Sequence, residues 1–507
     1  MSSFISPRLQ RILGMACIVL LQLVLFVIAV HHFSRYFIYL YGICVVISVL
    51  VSIWIANSKS KLPYKIAWII PILAFPLFGG LAFFLLGGYR NPSRKHALRH
   101  RTVFRKYLSS PCQADDLQFL GMDVVQQSKY LQNTALCPLY SGTATRYFSS
   151  GEAFFPVLLE ALEQAQRYIL LEYFIISEGE MWGQILEILN RKVAAGVDVR
   201  IIYDDLGSVI TLPHHYHEHL EQLGIQCCVF QPVRPVLSVH QNNRDHRKIC
   251  VVDGLVGFAG GLNLSDEYIN EKERFGYWKD SAILLRGPAV WSLTVTFLNM
   301  WETIRGEIVD YTRYRPDSWP ELPTAAGFVQ PYMDTPLPTD TISADLHLMM
   351  FTKAKRYLYI TTPYLVIDET IAAALCVAAK SGVDVRIMTP HIPDKPAVFA
   401  VTQSHYEGLI QAGVRIYEFL PGFIHSKSVV ADDLYASVGS CNLDYRSFYL
   451  QYENGVWICG DPTVLAIRDD FLTSLEHSQE ITLEDCQNTP LLTRLVRSVL
   501  RIFSPLF

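Results

Sequence analysis

Residues 245–253 read Asp-His-Arg-Lys-Ile-Cys-Val-Val-Asp, and residues 424–432 read Ile-His-Ser-Lys-Ser-Val-Val-Ala-Asp. Both stretches have a histidine, a lysine two positions later and an aspartate five positions after the lysine. A strand points every second side chain to the same face, so the histidine and lysine of each stretch would project together. The apolar run after each lysine is typical of a buried strand.

A short turn of small residues follows each stretch at the same distance. The first copy continues to Gly260-Gly261-Leu262-Asn263, and the second to Gly439-Ser440-Cys441-Asn442. One such motif alone would be typical of an ordinary surface strand. Two copies with matching turns indicate that one chain carries two half-sites.

The chemistry of the repeated residues suits a phosphodiester. A neutral imidazole is a nucleophile near neutral pH, and a lysine ammonium beside it can hold the non-bridging oxygens of a phosphate. Two half-sites supply two histidines, of which one can attack phosphorus while the other transfers protons. The sequence therefore predicts a joint site built from residues of both copies: His246, Lys248, Asn263, His425, Lys427, Asn442 and, as a further donor, Ser440.

Several carboxylates have predicted places around this site. Asp253 and Asp432 belong to the repeated motif and are grouped with its catalytic residues, although their position at the far end of the strand favours a structural role. Asp280 and Glu453, in the strand after each asparagine turn, are candidates for orienting the two imidazoles. Three further carboxylates near strand ends either line the site or, as the preferred interpretation, form a polar rim: Glu172, Asp204 and Asp205.

The duplication extends beyond the motifs. Residues 196–201 and 382–387 both read Gly-Val-Asp-Val-Arg-Ile. The alternation of helical and apolar strand patterns indicates an α/β architecture in two halves, residues 140–310 and 341–485, with a connector over 311–340. Helices are predicted over 154–166, 182–195 and 371–380, and strands over 168–176 and 197–203.

The first ninety residues predict a membrane anchor, residues 1–90, with two or three hydrophobic helices. Pro71 and Pro76 interrupt the third apolar run, so the number of full crossings stays open. A dense basic flank between Arg90 and Lys106 predicts, by the positive-inside rule, that the downstream chain faces the cytoplasm. The three apolar runs are Ile12–Val30, Phe37–Ala56 and Ile66–Leu86.

Three other segments have simpler predictions. Residues 91–139 are expected to form a basic and polar linker. Residues 231–243 are either a loop over the site or a plain connection to the first motif. Residues 486–507 predict a basic amphipathic helix, which either lies on a membrane surface or docks on the core of the protein itself.

The composition excludes some classes of function. A net charge of −4 over 507 residues gives no general signature of polyanion binding, so no nucleic-acid partner is predicted. The eleven cysteines are scattered, without a Cys-x-x-Cys pair or a Cys/His cluster. Reduced thiols are therefore expected, and neither a metal nor another cofactor is predicted, because the lysines supply the positive charge.

Longer strings around the motifs resemble the phospholipase D superfamily and, within it, the bacterial cardiolipin synthases. The resemblance extends over essentially the whole chain. It implies two phospholipase D-like domains related by a pseudo-twofold axis, each with β-sheets flanked by helices, after N-terminal membrane helices. The strings are Arg244-Asp-His-Arg-Lys, residues 257–268, Trp278-Lys-Asp280 ahead of Gly287-Pro-Ala-Val290, and residues 437–447.

The resemblance also implies a reaction. In such enzymes a phosphatidyl group passes from one phosphatidylglycerol to another through a covalent phosphohistidine, giving cardiolipin and glycerol in a bacterial cell membrane. The resemblance favours His246 as the nucleophile and His425 as the acid and base, while the symmetry of the sequence allows the reverse. A hydrolytic phospholipase D and a non-catalytic scaffold that binds anionic membrane lipids are the alternatives.

Overall fold

The computed structural model describes residues 20–28, 34–58, 60–83, 94–233, 243–322, 325–336 and 341–506. The chain divides into two compact units. Unit 1 contains Met1–Arg90, Val233–Gln241 and Ile502–Phe507, and unit 2 contains Asn91–Pro232 and Asn242–Arg501.

Unit 1 contains a helix that is long and apolar enough to cross a membrane. This segment, Ile38–Ala56, has 19 residues and a mean hydropathy of 2.4, and most of its side chains are exposed. It forms most of helix α1, and part of the first predicted run, residues 20–28, is also helical. Apart from residues 20–28, the described helices of unit 1 are α1 Ser34–Ala56, α2 Leu62–Ala74 and α3 Gly79–Ala82, with a 3-10 turn at Ser504–Leu506.

The third predicted run is not one continuous helix. Helix α2 ends at Ala74, and Phe75 has φ −129° and ψ 73°, outside the helical region. The residue before a proline is disfavoured in the α conformation, and here Pro76 follows Phe75. A turn separates α2 from α3, so a single straight crossing over 66–86 is not formed in the described part of this run.

Residues 94–139 are folded, in contrast to the predicted linker over 91–139. They form helix α4, Arg94–Tyr107, a 3-10 helix and helix α5, Met122–Asn133. Phe104, Leu117 and Val124 are fully buried in the core of unit 2. A few well-spaced apolar side chains fix this segment although its average composition is polar.

The first large sheet of unit 2 has seven strands in the order β1-β9-β7-β6-β2-β3-β4. Strands β2, β3 and β4 are parallel, and the other neighbours are antiparallel. The strands of this half are β1 Ala144–Phe148, β2 Tyr168–Tyr173, β3 Asp198–Asp204, β4 Gln226–Phe230, β5 Arg244–Asp245, β6 Lys248–Val252, β7 Val256–Gly260, β8 Tyr277–Lys279 and β9 Ala282–Arg286.

The second large sheet repeats this arrangement, with the order β10-β19-β17-β16-β11-β13-β14-β20. Strand β10 begins inside the predicted connector, which therefore contributes an edge strand to this half. The strands are β10 Phe328–Asp334, β11 Tyr357–Thr361, β12 Leu365–Val366, β13 Asp384–Pro390, β14 Arg415–Phe419, β15 Gly422–Ile424, β16 Ser428–Ala431, β17 Tyr435–Gly439, β18 Leu443–Asp444, β19 Gln451–Cys459 and β20 Ser478–Ile481.

Helices cover the sheets, and helix α10 packs against strands of both halves, so that they share one core. Every residue of α10 from Val290 to Glu302 is buried. The remaining helices of unit 2 are α6 Gly151–Glu163, α7 Glu180–Ala194, α8 Asp205–Ser208, α9 Tyr216–Gln222, α10 Val290–Arg305, α11 Ile342–Lys353, α12 Glu369–Lys380, α13 Pro396–Gln411, α14 Tyr445–Tyr449, α15 Thr463–Leu475, α16 Leu483–Gln487 and α17 Leu491–Phe503, the last of which ends in unit 1.

Helix α17 is the predicted C-terminal amphipathic helix. Its polar face contacts helix α13, where Arg494 donates to Glu407 (3.2 Å) and Arg497 to Gln403. Its apolar face is mostly exposed, with Leu491 at 82% and Leu492 at 73%. Leu500 packs against the core of unit 2, so the helix docks there through the C-terminal part of this face, while the N-terminal part stays exposed.

Two short parallel strand pairs join the halves reciprocally. Strand β5 of the first half pairs with β19 of the second, and β15 of the second half pairs with β8 of the first. Each motif histidine comes directly after one of these strands: His246 follows β5, and His425 follows β15. The pairing therefore brings each motif against the opposite half.

Candidate active site

The backbone of each motif histidine is fixed by the other half. The His246 N–H donates to the Tyr452 carbonyl (2.9 Å), and the His425 N–H donates to the Lys279 carbonyl (2.6 Å). Glu453 follows Tyr452 in the sequence, and Asp280 follows Lys279, so a carboxylate comes directly after each of these carbonyls. The two short strand pairs thus place a histidine beside an acid twice.

Each imidazole contacts the carboxylate of the opposite half. Nδ1 of His246 lies 3.0 Å from both carboxylate oxygens of Glu453, and Nδ1 of His425 lies 2.6 Å from Oδ2 of Asp280. Both carboxylates are fully buried. Because a carboxylate on Nδ1 fixes the tautomer, Nε2 of each ring is the nitrogen presented for chemistry.

The two motif lysines lie against the same histidines. Lys248 Nζ donates to the His246 carbonyl, and Lys427 Nζ donates to the His425 carbonyl. Lys427 Nζ also lies 2.8 Å from His425 Nδ1 and 3.8 Å from Asp280 Oδ2. Two buried ammonium groups therefore supply positive charge to one small volume.

Burial and the nearby positive charges favour the neutral form of both histidines. Burial holds the pKa of His246 well below its ordinary value, and the positive charges of Lys248 and Lys427 lower it further. Burial acts in the same direction on the pKa of His425, again with help from the two lysines. A neutral imidazole has a free lone pair, which a nucleophile needs.

The charged groups around the histidines titrate close to neutral pH. Burial raises the pKa of Glu453 to about 7 and that of Asp280 to about 6, although the lysines oppose both shifts. Burial lowers the pKa of Lys248 to about 7 and that of Lys427 to about 8, although the nearby carboxylates oppose both shifts. Small changes in pH therefore change the charge of the site.

The asparagines of the two turns are buried close to the motifs. Asn263 accepts from the Ile175 N–H (3.1 Å) and donates to the Tyr268 hydroxyl (2.6 Å). Asn442 Nδ2 lies 3.2 Å from Asp444 Oδ2, and its Oδ1 has no hydrogen-bond partner among the described residues. A role of these amides in holding phosphate stays a prediction.

The Ser440 hydroxyl contacts Glu453, where the sequence analysis expected a contact with phosphate. It donates to Glu453 Oε2 and accepts from the Asn454 N–H (3.0 Å). In this arrangement Ser440 supports the carboxylate that contacts His246.

Asp253 and Asp432 bind backbone at the start of strands β2 and β11. Asp253 accepts from the N–H groups of residues 166, 167 and 168 at 2.7–2.8 Å. Asp432 does the same for residues 355, 356 and 357 at 2.7–3.0 Å. Both have positive φ, 54° and 61°. These contacts favour the structural role.

Asp253→Ala is expected to lower the free energy of unfolding by roughly 2–4 kcal/mol, because it leaves backbone donors unpaired. Asp253→Asn keeps an acceptor and tolerates positive φ, so it should lose much less. Thermal unfolding of the purified full chain checks both. Normal stability of the alanine variant, with turnover abolished, would contradict this role.

An aromatic shell encloses the two imidazoles. The Phe174 ring lies 5.1 Å from that of His246, and the rings of Tyr268, Trp278 and Phe423 lie 5.7, 5.4 and 5.5 Å from that of His425. Two of these rings had a signal in the sequence, since Trp278 begins the string Trp278-Lys-Asp280 and Tyr268 ends the string over residues 257–268. The shell explains why both imidazoles are buried.

The expected polar rim was wrong for two of its three carboxylates. Asp204 is fully buried and makes a two-pronged ion pair with Arg244, whose Nε and Nη2 lie 2.7–3.0 Å from its oxygens. Glu172 is also fully buried, 3.3 Å from Arg247. Asp205 is half-buried. The signal for their burial was a pair of arginines, Arg244 and Arg247, which lie on either side of His246 in the sequence and pair with these two carboxylates.

One group of side chains outside the two motifs could hold a metal ion. His215, His217 and Glu218 have ligand atoms within 4.8 Å of one another, at the start of helix α9. Sequence analysis missed this group. His215 and Glu218 are exposed, and none of the three belongs to the two motifs.

Profiles of known families match most of unit 2 and part of unit 1. One described as "Cardiolipin synthase, PLD-like domain" matches residues 158–300 and 348–475. Another, described as "Phospholipase_D-nuclease N-terminal", matches residues 44–88. The first profile therefore covers both motif-bearing halves.

Individual proteins agree with the profiles. An uncharacterised protein of Streptococcus mutans is 39% identical over 90% of this chain and 99% of its own length. A cardiolipin synthase of Alkalihalophilus pseudofirmus is 35% identical over 88% of this chain and 90% of its own length. The crystal structure of phosphatidylserine synthase from Haemophilus influenzae, 15% identical, shares the fold with a TM-score of 0.57, covering 75% of this chain and all of that one.

The duplicated sheets, the paired motifs and the similar proteins all indicate the same family. The apolar helix α1 and these relatives also indicate a membrane protein. This chain belongs to the cardiolipin synthase family of phospholipase D-like proteins.

Proposed function

We propose that this protein is a phosphatidyltransferase that makes cardiolipin and glycerol from two molecules of phosphatidylglycerol. Relatives named cardiolipin synthase, at about 35% identity over most of the chain, support this reaction. The observation that carries the proposal is the site itself: two buried histidines, each against a carboxylate of the opposite half and each with the lysine of its own motif beside it.

In the first step, Nε2 of His246 attacks the phosphorus of the donor lipid. The bond from phosphorus to the headgroup oxygen breaks as the bond from phosphorus to nitrogen forms, and His425, which enters this step protonated and paired with Asp280, gives its Nε2 proton to the leaving glycerol. Lys248 and Lys427, with Asn263 and Asn442 as further donors, stabilise the negative charge on the phosphoryl oxygens. Glu453 stabilises the positive charge that His246 gains on attack.

In the second step, the hydroxyl of another phosphatidylglycerol attacks the phosphohistidine. His425, now neutral, takes the proton of that hydroxyl, and the bond between phosphorus and His246 breaks. The products are cardiolipin and the enzyme in its starting state. Water in place of the second lipid would give phosphatidic acid.

The surroundings of the site favour the lipid over water as the acceptor. His246 and His425 are each only 7% exposed, and aromatic rings surround them. Exclusion of water protects a reactive intermediate from hydrolysis. Supply of the acceptor from a membrane would favour transfer further.

We place the enzyme in the bacterial cell membrane as a multi-pass protein with unit 2 on the cytoplasmic side. The apolar helices of unit 1 and the basic residues of helix α4 support this orientation. The exposed part of the apolar face of helix α17 supports a contact with the bilayer surface as well.

The rate should depend on pH as a narrow bell with its maximum near pH 7, since the active form has ionised carboxylates and protonated lysines. On the acid side, activity falls as Glu453 and Asp280, with pKa values of about 7 and about 6, take up protons. On the alkaline side, it falls as Lys248 and Lys427, with pKa values of about 7 and about 8, lose them.

Initial rates of glycerol release across the pH range check this bell. Glu453→Gln should lower the rate and move the acid limb to the lower pH that Asp280 sets. An unchanged acid limb in this variant, or a flat profile in the wild type, would contradict the assignment.

A product assay tests the proposed reaction. Purified full-length protein is mixed with phosphatidylglycerol in detergent micelles, with metal ions chelated, and the lipids and free glycerol are measured. Cardiolipin with an equal amount of glycerol is expected. Phosphatidic acid without cardiolipin would establish a hydrolase instead, and no turnover would favour the lipid-binding scaffold.

A further inference from the structure

A charged cluster lies between strand β13 and helix α13, close to the second motif. Lys395 Nζ donates to the Tyr364 hydroxyl (2.6 Å), and that hydroxyl donates to Asp394 Oδ2 (2.6 Å). Lys395 Nζ also lies 3.2 Å from Asp394 Oδ2 and 4.5 Å from the centre of the Tyr364 ring. Tyr364, Asp394 and Lys395 are called the 394 cluster below.

The 394 cluster reaches from the shell of His425 to the solvent. The Tyr364 ring lies 6.5 Å from that of Phe423, which lies 5.5 Å from the ring of His425. Tyr364 is 9% exposed, whereas 55% of the Lys395 side chain is exposed. The cluster thus joins an ammonium at the surface to the aromatic side chains that pack against His425.

The charges of the cluster act on the catalytic groups. Burial and the two motif lysines are the larger causes that lower the pKa of His246, and Lys395 adds to them. Asp394 acts in the opposite direction on the pKa of His425, which burial and the motif lysines lower. Both ends of the cluster therefore lie within electrostatic reach of the site.

The cluster makes the two sides of a duplicated site unequal. The corresponding strand of the first half, β3, ends at Asp204, which is buried against Arg244. In the second half, Oδ1 of Asp394 is buried and has no hydrogen-bond partner among the described residues. An ammonium open to solvent and a free carboxylate oxygen thus lie on the side of His425.

A second phosphatidylglycerol has the groups that such a pair would bind. Its headgroup is a glycerol with two hydroxyls, attached to a phosphate with one negative charge. One hydroxyl must reach His425 to lose its proton, which leaves the other hydroxyl and the phosphate for further contacts. Water and simple alcohols lack both features.

We propose that the 394 cluster is the subsite for the acceptor lipid, in which Lys395 pairs with the acceptor phosphate and Asp394 Oδ1 accepts a hydrogen bond from the glycerol. This inference rests on the proposed function. The subsite holds the terminal hydroxyl of the glycerol for attack on the phosphohistidine. Phosphorus gains the bond to this oxygen and loses the bond to His246, and the proton passes to His425.

Competition between two acceptors tests the subsite. Full-length protein acts on phosphatidylglycerol in micelles with ethanol added, and cardiolipin, phosphatidylethanol, phosphatidic acid and glycerol are measured together. Lys395→Gln is expected to lower the ratio of cardiolipin to phosphatidylethanol about tenfold. Lys395→Arg, which keeps the charge, should restore most of this ratio. Lys380→Gln, on the exposed end of helix α12, is the matched control and should leave it unchanged.

The same assay separates the two proposals. A parallel fall of cardiolipin and phosphatidylethanol in Lys395→Gln, or no change in their ratio, would overturn the acceptor subsite. If the wild-type protein releases glycerol without making cardiolipin, the proposed synthase reaction itself fails, before any variant is compared.

Discussion

Replacing His246 by alanine is expected to abolish the release of glycerol and the formation of cardiolipin together, by at least about 10⁴-fold, because no other group replaces the nucleophile. The loss should be independent of pH, since the nitrogen that attacks phosphorus is gone. Initial rates with phosphatidylglycerol measure it, and thermal unfolding shows that the variant is folded.

His425→Ala is the matched variant, because each histidine contacts a carboxylate of the opposite half through Nδ1. It should also lose activity, by about 10²–10⁴-fold, which is typical of a missing general acid. A phosphodiester with a p-nitrophenolate leaving group needs no proton from the enzyme. Such a donor should restore the first step in His425→Ala and leave His246→Ala inactive. Restoration of His246→Ala instead would reverse the two roles.

Asp204→Asn should destabilise the protein by about 3–5 kcal/mol, since it leaves the buried Arg244 charge without its partner. The Arg244 side chain is 1% exposed and that of Asp204 is fully buried. Arg244 also belongs to strand β5, which pairs with β19. The pair therefore supports the contact that places His246 beside Glu453, and thermal unfolding of the full chain measures its contribution.

Asp198→Asn is the matched control on the same strand. Asp198 pairs with Arg200, but its side chain is 30% exposed. Partly exposed pairs contribute about 0–1 kcal/mol, so this variant should unfold close to the wild-type temperature. Equal effects of the two substitutions would contradict the importance of the buried pair.

Sequence alone was sufficient for the features with a local signature. The spacing of histidine and lysine predicts a strand with both side chains on one face, and the repeat at residues 196–201 and 382–387 predicts two similar halves. Motif-sized patterns of this kind are visible without knowledge of the fold. The duplicated α/β sheets agree with the second prediction. The first was too simple, because His246 lies between strands β5 and β6, and His425 and Lys427 lie between β15 and β16.

The pairing across the halves had no local signature. Asp280 and Glu453 were candidates for orienting the imidazoles, but the sequence did not indicate that Asp280 meets His425 or that Glu453 meets His246. Those contacts depend on two short strand pairs between distant segments. The polar rim failed for a related reason, because Asp204 is buried by an arginine 40 residues away.

Average composition is a poor guide to the structure of two segments. Residues 91–139 have a polar composition, yet a few apolar side chains such as Phe104 and Leu117 fix them in the core. The run over 66–86 is apolar throughout, yet its helix breaks at Phe75. In both cases individual residues determine the structure, and an average over a window hides them.

Trapping the covalent intermediate is the most direct test of the central claim, that His246 carries the phosphatidyl group between two lipids. Wild-type protein and His425→Ala are mixed with phosphatidylglycerol, quenched in denaturant at high pH, where phosphohistidine is stable, and digested for mass spectrometry. A phosphatidyl adduct is expected on the peptide that contains His246, formed before cardiolipin appears. Cardiolipin formation without any adduct, or an adduct on His425, would contradict this claim.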